Sequence, residues 1–186
     1  MRTNPRRTGH TVAMTFSDNA APRSGGAGNP DRADASGRHV TLTRTGRLTF
    51  RATSESGATI ELGPAGTDLF SPVELLLAAI AGCTAMDVDA ITAKRAEADH
   101  FEVVSAGRKV RDGDGNHLAD LRLDFSVSFP SGEGGDAARS VLTTAIQRSH
   151  DRLCTVSRTV ELASPVEVLH DGEPIQQSAG RAQSEQ

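Results

Sequence analysis

Three observations in the sequence predict an α+β fold, with antiparallel sheets packed on a long central helix. Short segments that alternate apolar and polar residues occur early and late in the chain, a single long stretch in the middle carries apolar residues at helical spacing, and the elements come in runs. Three strands, a helix, two strands, a helix and a strand is an order that segregates helices from antiparallel strands, unlike the strict alternation of a parallel α/β sheet.

The first strands are Val40-Thr41-Leu42-Thr43 and Leu48-Thr49-Phe50-Arg51-Ala52-Thr53, with Thr45-Gly46 read as the turn between them and Thr59-Ile60-Glu61-Leu62 as a third strand. From Ser71 to about Arg95 the only Gly or Pro residues are Pro72 and Gly82, and the apolar spacing predicts a long, mostly buried helix. Ser71-Pro72-Val73-Glu74 marks its start with an N-cap serine, a proline in the first turn and the glutamate of a capping box. Phe101 to Val104 and Leu118 to Phe129 return to strand alternation, which puts Leu121, Leu123, Phe125, Val127 and Phe129 on one face. A second helix is predicted from about Asp136 to Arg152, with Val141, Leu142, Ala145, Ile146 and Leu153 as its apolar stripe. A short helix after Cys154 and a strand over Val166-Glu167-Val168-Leu169 complete the core.

Residues 1–37 are rich in Gly, Ser, Arg, Asn and Pro without apolar periodicity and read as a disordered tail; residues 174–186 read as a flexible C-terminal tail, which leaves 38–173 as one folded domain. Aromatic residues make up 3% of the chain and the formal net charge is −4, so neither stacking planes nor a basic face points to nucleic acid as a partner. The apolar run from Val73 to Cys83 falls short of the roughly 20 residues of a membrane span, and no apolar stretch follows the N-terminal Arg6-Arg7 as it would in an export signal. The expectation is a cytoplasmic protein without a membrane partner.

Chemistry centres on two cysteines, Cys83 and Cys154. In a reducing compartment they read as inert core residues, a redox pair or, with less support, metal ligands. Cys83 lies among small residues in Ala78-Ala79-Ile80-Ala81-Gly82-Cys83-Thr84-Ala85-Met86, where a ligand or another backbone can come close. Asp87, one turn later, would raise its pKa unless a cation offset the charge; Arg44, Arg47 and Arg51 of the first hairpin are the candidates. Cys154 follows His150 and Arg152, both able to favour a thiolate, and the His150/Cys154 spacing is one that can chelate zinc. His100, His117 and His170 stand on polar, loop-like segments, so a full ligand set is not apparent and no metal is expected. Leu76, Ile80 and Met86 are candidates to line an apolar pocket near Cys83.

Ser71-Pro72-Val73-Glu74-Leu75 followed by Ala81-Gly82-Cys83-Thr84-Ala85-Met86-Asp87-Val88 resembles the central helix of the osmotically inducible protein C (OsmC) and organic hydroperoxide resistance (Ohr) family. Cys154-Thr155-Val156-Ser157 resembles the family's Cys-Pro-Val-Ser segment, with Thr155 in place of proline, and the resemblance covers about residues 39–170. It implies the OsmC/Ohr-like fold as an intertwined homodimer with two active sites at the subunit interface. Each site would hold Cys83 as the peroxidatic thiol and Cys154 as the resolving thiol. An arginine of the first hairpin would hold the thiolate; Arg47 falls closest to that place, with Arg51 as the alternative. The implied substrate is an organic hydroperoxide and the implied reductant a dithiol, with no cofactor, in oxidative stress defence. One departure bears on activity: family enzymes begin this helix Asn-Pro-Glu and pair that glutamate with the arginine, whereas here the position is Val73, and Glu74 is expected to cap the helix. The competing class is a non-catalytic dimeric small-molecule binding protein with the same fold.

Overall fold

The computed structural model describes residues 37–113 and 115–175. All but Gly37 of the N-terminal tail, and all but Pro174 and Ile175 of the C-terminal tail, lie outside the described residues. The elements are β1 (Val40–Gly46), β2 (Thr49–Ser54), β3 (Thr59–Leu62), α1 (Pro72–Thr92), β4 (His100–Asp112), β5 (Gly115–Ser128) and α2 (Glu133–Arg148), then a π-helical turn (Ser149–Leu153), α3 (Thr155–Glu161), β6 (Leu169–His170) and β7 (Glu173–Pro174). The strands pair antiparallel in three sheets, β1-β2-β3, β4-β5 and β6-β7. The fold class is the α+β arrangement that the element order predicts.

The start of α1 matches its sequence signal closely. Ser71 Oγ accepts from the Glu74 N–H at 3.3 Å while the Glu74 carboxylate accepts from the Ser71 N–H at 2.7 Å, a complete capping box. These hydrogen bonds to Ser71 hold the Glu74 carboxyl below its ordinary pKa. Ser71 is buried, so its loss leaves first-turn amides without a partner. Ser71→Ala is expected to destabilise the fold by about 1 kcal/mol in chemical denaturation.

The helix is not mostly buried, however. Only Ile80, Thr84, Val88 and Thr92 are enclosed, one stripe at every fourth residue, and the Thr84 and Thr92 hydroxyls are satisfied by the carbonyls of Ile80 and Val88. That stripe packs on β4, α2, the π-helical turn and α3. Val73 and Leu76, at the N-terminal end of the helix, are exposed, and so is Met86 on the face opposite the stripe, to 69%. By length and composition α1 would suffice to cross a membrane, contrary to the expectation from its first half alone, but its buried stripe makes it the core helix of this fold.

The β1-β2-β3 sheet is two-faced. Register places Leu42, Ala52 and Ile60 side by side, with Arg44, Phe50 and Leu62 as the next row, while Thr43, Arg51 and Glu61 share the other face. Its strands pack mainly on each other, and Leu42 and Ile60 stay 55% and 40% exposed. The β1–β2 turn is Arg47-Leu48, two residues beyond the expected Thr45-Gly46, because β1 continues through an irregularity between Arg44 and Gly46 to pair Gly46 with Thr49. Leu48 takes a left-handed φ of 61° at the tip, a conformation costly for a branched side chain.

β4 and β5 form a hairpin longer than predicted, because polar residues such as Arg108 and Lys109 still pair across it with Ala119 and Leu118. The predicted side-chain alternation holds from Leu123 on: Leu123, Phe125 and Val127 are half-buried and Phe129 buried, between exposed Asp124, Ser126 and Ser128, whereas Leu121, expected on the same face, is exposed. α2 ends at Arg148 instead of continuing to Arg152. The strand predicted over Val166 to Leu169 is shorter and shifted: Val166 and Val168 are exposed and join neither large sheet, while Leu169-His170 pairs with Glu173-Pro174 and the Val168 carbonyl accepts from the Ile175 N–H at 2.9 Å.

Candidate functional site

The site forms where α1 meets the link between α2 and α3. Cys83 is half-buried on α1, one residue before the buried Thr84. Cys154 is fully buried and caps α3: its backbone is extended (φ −68°, ψ 99°), its sulfur accepts from the Ser157 N–H at 3.3 Å and its thiol donates to Ser157 Oγ at 3.2 Å. The i to i+3 spacing is that of an N-cap, here filled by a thiol instead of a hydroxyl. Thr155 occupies the first helical position, where a proline is also tolerated.

The fold brings the two sulfurs into hydrogen-bonding reach of each other, and both are free thiols. Their acidities are pushed apart. Burial raises the Cys83 pKa; the Val156 backbone amide opposes this, while the hydrogen bond and charge of Cys154 and the charge of Asp87 add to it. Burial also works against ionising Cys154, but hydrogen bonds from the Ser157 and Thr84 side chains, the Ser157 backbone and the Cys83 thiol together bring its pKa below the ordinary value. Within a single chain, then, Cys154 is the more acidic of the two thiols and Cys83 the less acidic.

A lowered pKa for Cys154 is the direction the sequence suggests, but its source differs from the sequence reading. His150 points to Glu161 at 3.5 Å, and the side chains that stabilise the thiolate are hydroxyls and a thiol, not His150 or Arg152. Thr84 and Ser157 were not singled out from sequence. Ser157 was detectable as the residue three places after Cys154, whereas the role of Thr84 depends on how α1 packs on α3. The influence of Asp87 on Cys83 is in the expected direction. Among the described residues no three His, Cys, Asp or Glu side chains converge as metal ligands.

The arginines are not brought to the sulfurs within the chain. Arg51 lies on the polar sheet face and pairs with Glu61 at 2.6 Å. Arg44 lies on the apolar face beside Phe50, and Arg47 is exposed at the hairpin tip. None of the interactions that dominate either sulfur's acidity involves a cation.

A cavity of about 500 Å³ opens on the Thr84 and Ser157 side of the pair; Ile80, Leu123, Phe125 and Val160 give it an apolar wall, Arg122, His150 and Glu161 also line it, and neither cysteine does. Of the three residues expected to line an apolar pocket, only Ile80 does so. Leu76 and Met86 are exposed and lie outside its lining.

Comparison with known proteins bears on the family and the fold. The family model described as OsmC-like protein matches residues 65–169, a span that contains both cysteines. An uncharacterized protein of Mycobacterium tuberculosis is 31% identical over 127 residues, covering 67% of this chain and 90% of its own length; an uncharacterized protein of Mycobacterium bovis matches equally. Among solved structures, an OsmC-like protein of unknown function from Vibrio cholerae superposes with a TM-score of 0.56 at 15% identity, covering 68% of this chain and 94% of that one. An OsmC-like protein from Mycoplasma pneumoniae does so with a TM-score of 0.55 at 17% identity, covering 69% and 89%. These two likenesses concern the fold, whereas the family model spans more than half of the sequence and the mycobacterial relatives most of its folded part: the chain belongs to the OsmC family.

Proposed function

We propose that this protein is a cytoplasmic, thiol-dependent peroxidase that reduces organic hydroperoxides with Cys83 and Cys154 in oxidative stress defence. The observation that carries this reading is the contact between two thiols far apart in sequence, with acidities driven in opposite directions. Inert core cysteines have no need of either feature. The half-buried Cys83 is the sulfur a peroxide can approach, while the enclosed Cys154 is placed to react only with its neighbour.

In the proposed cycle the Cys83 thiolate attacks the distal peroxide oxygen and the O–O bond breaks. The departing alkoxide takes up a proton and leaves as an alcohol, and Cys83 becomes a sulfenic acid. The Cys154 sulfur then attacks Cys83; the hydroxyl leaves as water after protonation, and a disulfide forms. An external dithiol restores both thiols by exchange, supplying the two electrons that reduced the peroxide. The apolar cavity beside the pair offers room for an alkyl or aryl group.

Starting the cycle requires the negative charge to reside on Cys83. A guanidinium beside Cys83 would lower the pKa of that thiol and so favour its ionisation over that of Cys154. Arg47 is the proposed source, delivered in an intertwined homodimer by the hairpin of a second copy. Two features of the single chain support such a dimer: the apolar row of the β1-β2-β3 sheet and the outer face of α1 are both uncovered. Light scattering of dilute protein is expected to give about twice the 19.5 kDa chain mass.

A second reading, a dimeric small-molecule binding protein without turnover, is favoured by one specific feature. Val73 stands where family enzymes carry a glutamate, and Glu74 is committed to the capping box. Turnover of cumene hydroperoxide with dithiothreitol distinguishes the two: sustained peroxide consumption supports the peroxidase, and none leaves the binding protein.

A further inference from the structure

We propose that the hydrogen bond between Asp87 and Ser149 is a positioning clamp that holds Cys154 in bonding register with Cys83. This inference rests on the reading of the two cysteines as a redox pair, and it assigns a role to residues that do not touch the peroxide.

Ser149 is fully buried and bonded in two directions. Its hydroxyl donates to Asp87 Oδ2 at 2.8 Å, on the helix that carries Cys83 and one turn beyond it. Its carbonyl accepts from the Cys154 N–H at 2.9 Å. One residue thus links the Cys83 helix to the backbone of Cys154.

The chain between them is irregular in a way that makes such a link useful. An α-helix would bond the Cys154 N–H to residue 150; the π-helical turn Ser149–Leu153 bonds it to Ser149 instead, carrying Cys154 further round the axis before α3 begins. A π-helical turn is rare and frequent at functional sites, and it needs outside contacts to fix its register. Asp87 supplies one such contact from α1.

The identity of residue 87 supports the same conclusion. A carboxylate one turn from Cys83 opposes its ionisation, so it is a poor choice on electrostatic grounds alone. An acceptor for Ser149 is a compensating role that explains its presence. Asparagine would keep an acceptor oxygen while removing the charge, which separates the two effects.

The test equilibrates the full chain and its Asp87→Ala, Asp87→Asn and Ser149→Ala variants with mixtures of reduced and oxidised glutathione. The fraction of Cys83–Cys154 disulfide is then read by mass spectrometry after acid quenching. Misplacing Cys154 lowers the effective concentration of one thiol at the other. Asp87→Ala and Ser149→Ala are expected to lower the oxidation equilibrium constant about tenfold, equivalent to about 30 mV, with Asp87→Asn staying within about twofold of the native chain. Rescue by asparagine is a result that general loss of packing does not produce. Native-like potentials in both alanine variants would overturn the clamp, and so would an Asp87→Asn value as low as that of Asp87→Ala, which would assign the effect to charge. Should Ser149→Ala fail to fold, the alanine–asparagine comparison at position 87 still decides. A native chain that forms no Cys83–Cys154 disulfide at any glutathione ratio would instead refute the redox-pair reading, a distinct outcome from native oxidation with unresponsive variants.

Discussion

Replacing Cys83 with serine is expected to abolish peroxide consumption, lowering the rate by about 10³-fold or more, because a serine hydroxyl at neutral pH is a far weaker nucleophile than a thiolate and no base stands ready to activate it. Cys154 does not substitute for it. Although its sulfur is the more acidic of the two, it is fully enclosed and held by Ser157 and Thr84, so a peroxide has no approach to it. Cys154→Ser is expected to behave differently: Cys83 reacts once and then stops as a sulfenic acid or oxidises further, because no thiol remains beside it. Stopped-flow measurement of peroxide loss under single-turnover conditions separates the two variants. Equal losses in both would mean that the first step does not belong to Cys83.

Arg47→Ala is expected to slow the first step about 10- to 100-fold at neutral pH, since a cation within contact distance shifts a thiol pKa by about one to two units and each unit is worth about a factor of ten in thiolate. The sign follows from the single-chain electrostatics. Cys83 is already raised by burial, Cys154 and Asp87, so removing the one positive charge proposed to oppose them moves its titration to higher pH. The rate of the variant should therefore recover as pH rises. Arg51→Ala is expected to leave the first step unchanged, because that guanidinium already pairs with Glu61 on the polar sheet face. Arg44→Ala should act on assembly, since Arg44 lies on the uncovered apolar face. A loss confined to Arg51→Ala would transfer the role to that residue.

What could be read from the sequence was what neighbours in sequence decide. The capping box at Ser71 and Glu74 is local chemistry, and it formed as its spacing predicts. The alternation from Leu123 to Phe129 is a property of consecutive residues and was equally visible. The misreadings share a different cause. The strand expected at Val166 to Leu169 has the right residue types, but among the described residues it joins neither large sheet and its end pairs only with the neighbouring Glu173-Pro174. The pocket lining expected of Leu76 and Met86 came from their apolar character, while the buried residues of α1 are the Ile80, Thr84, Val88 and Thr92 stripe. The cysteine contact itself depends on how α1 packs on α3, which no spacing along the chain reveals. The π-helical turn is less legible still, because its register is set by a serine bonding to an aspartate on another helix.

The most direct test of the account is oxidation of the reduced protein by one equivalent of cumene hydroperoxide, followed by alkylation of remaining thiols and mass spectrometry of the peptides. The account predicts an intramolecular Cys83–Cys154 disulfide, formed in proportion to peroxide added and reversed by dithiothreitol. Both thiols recovered free and alkylated after exposure would contradict it.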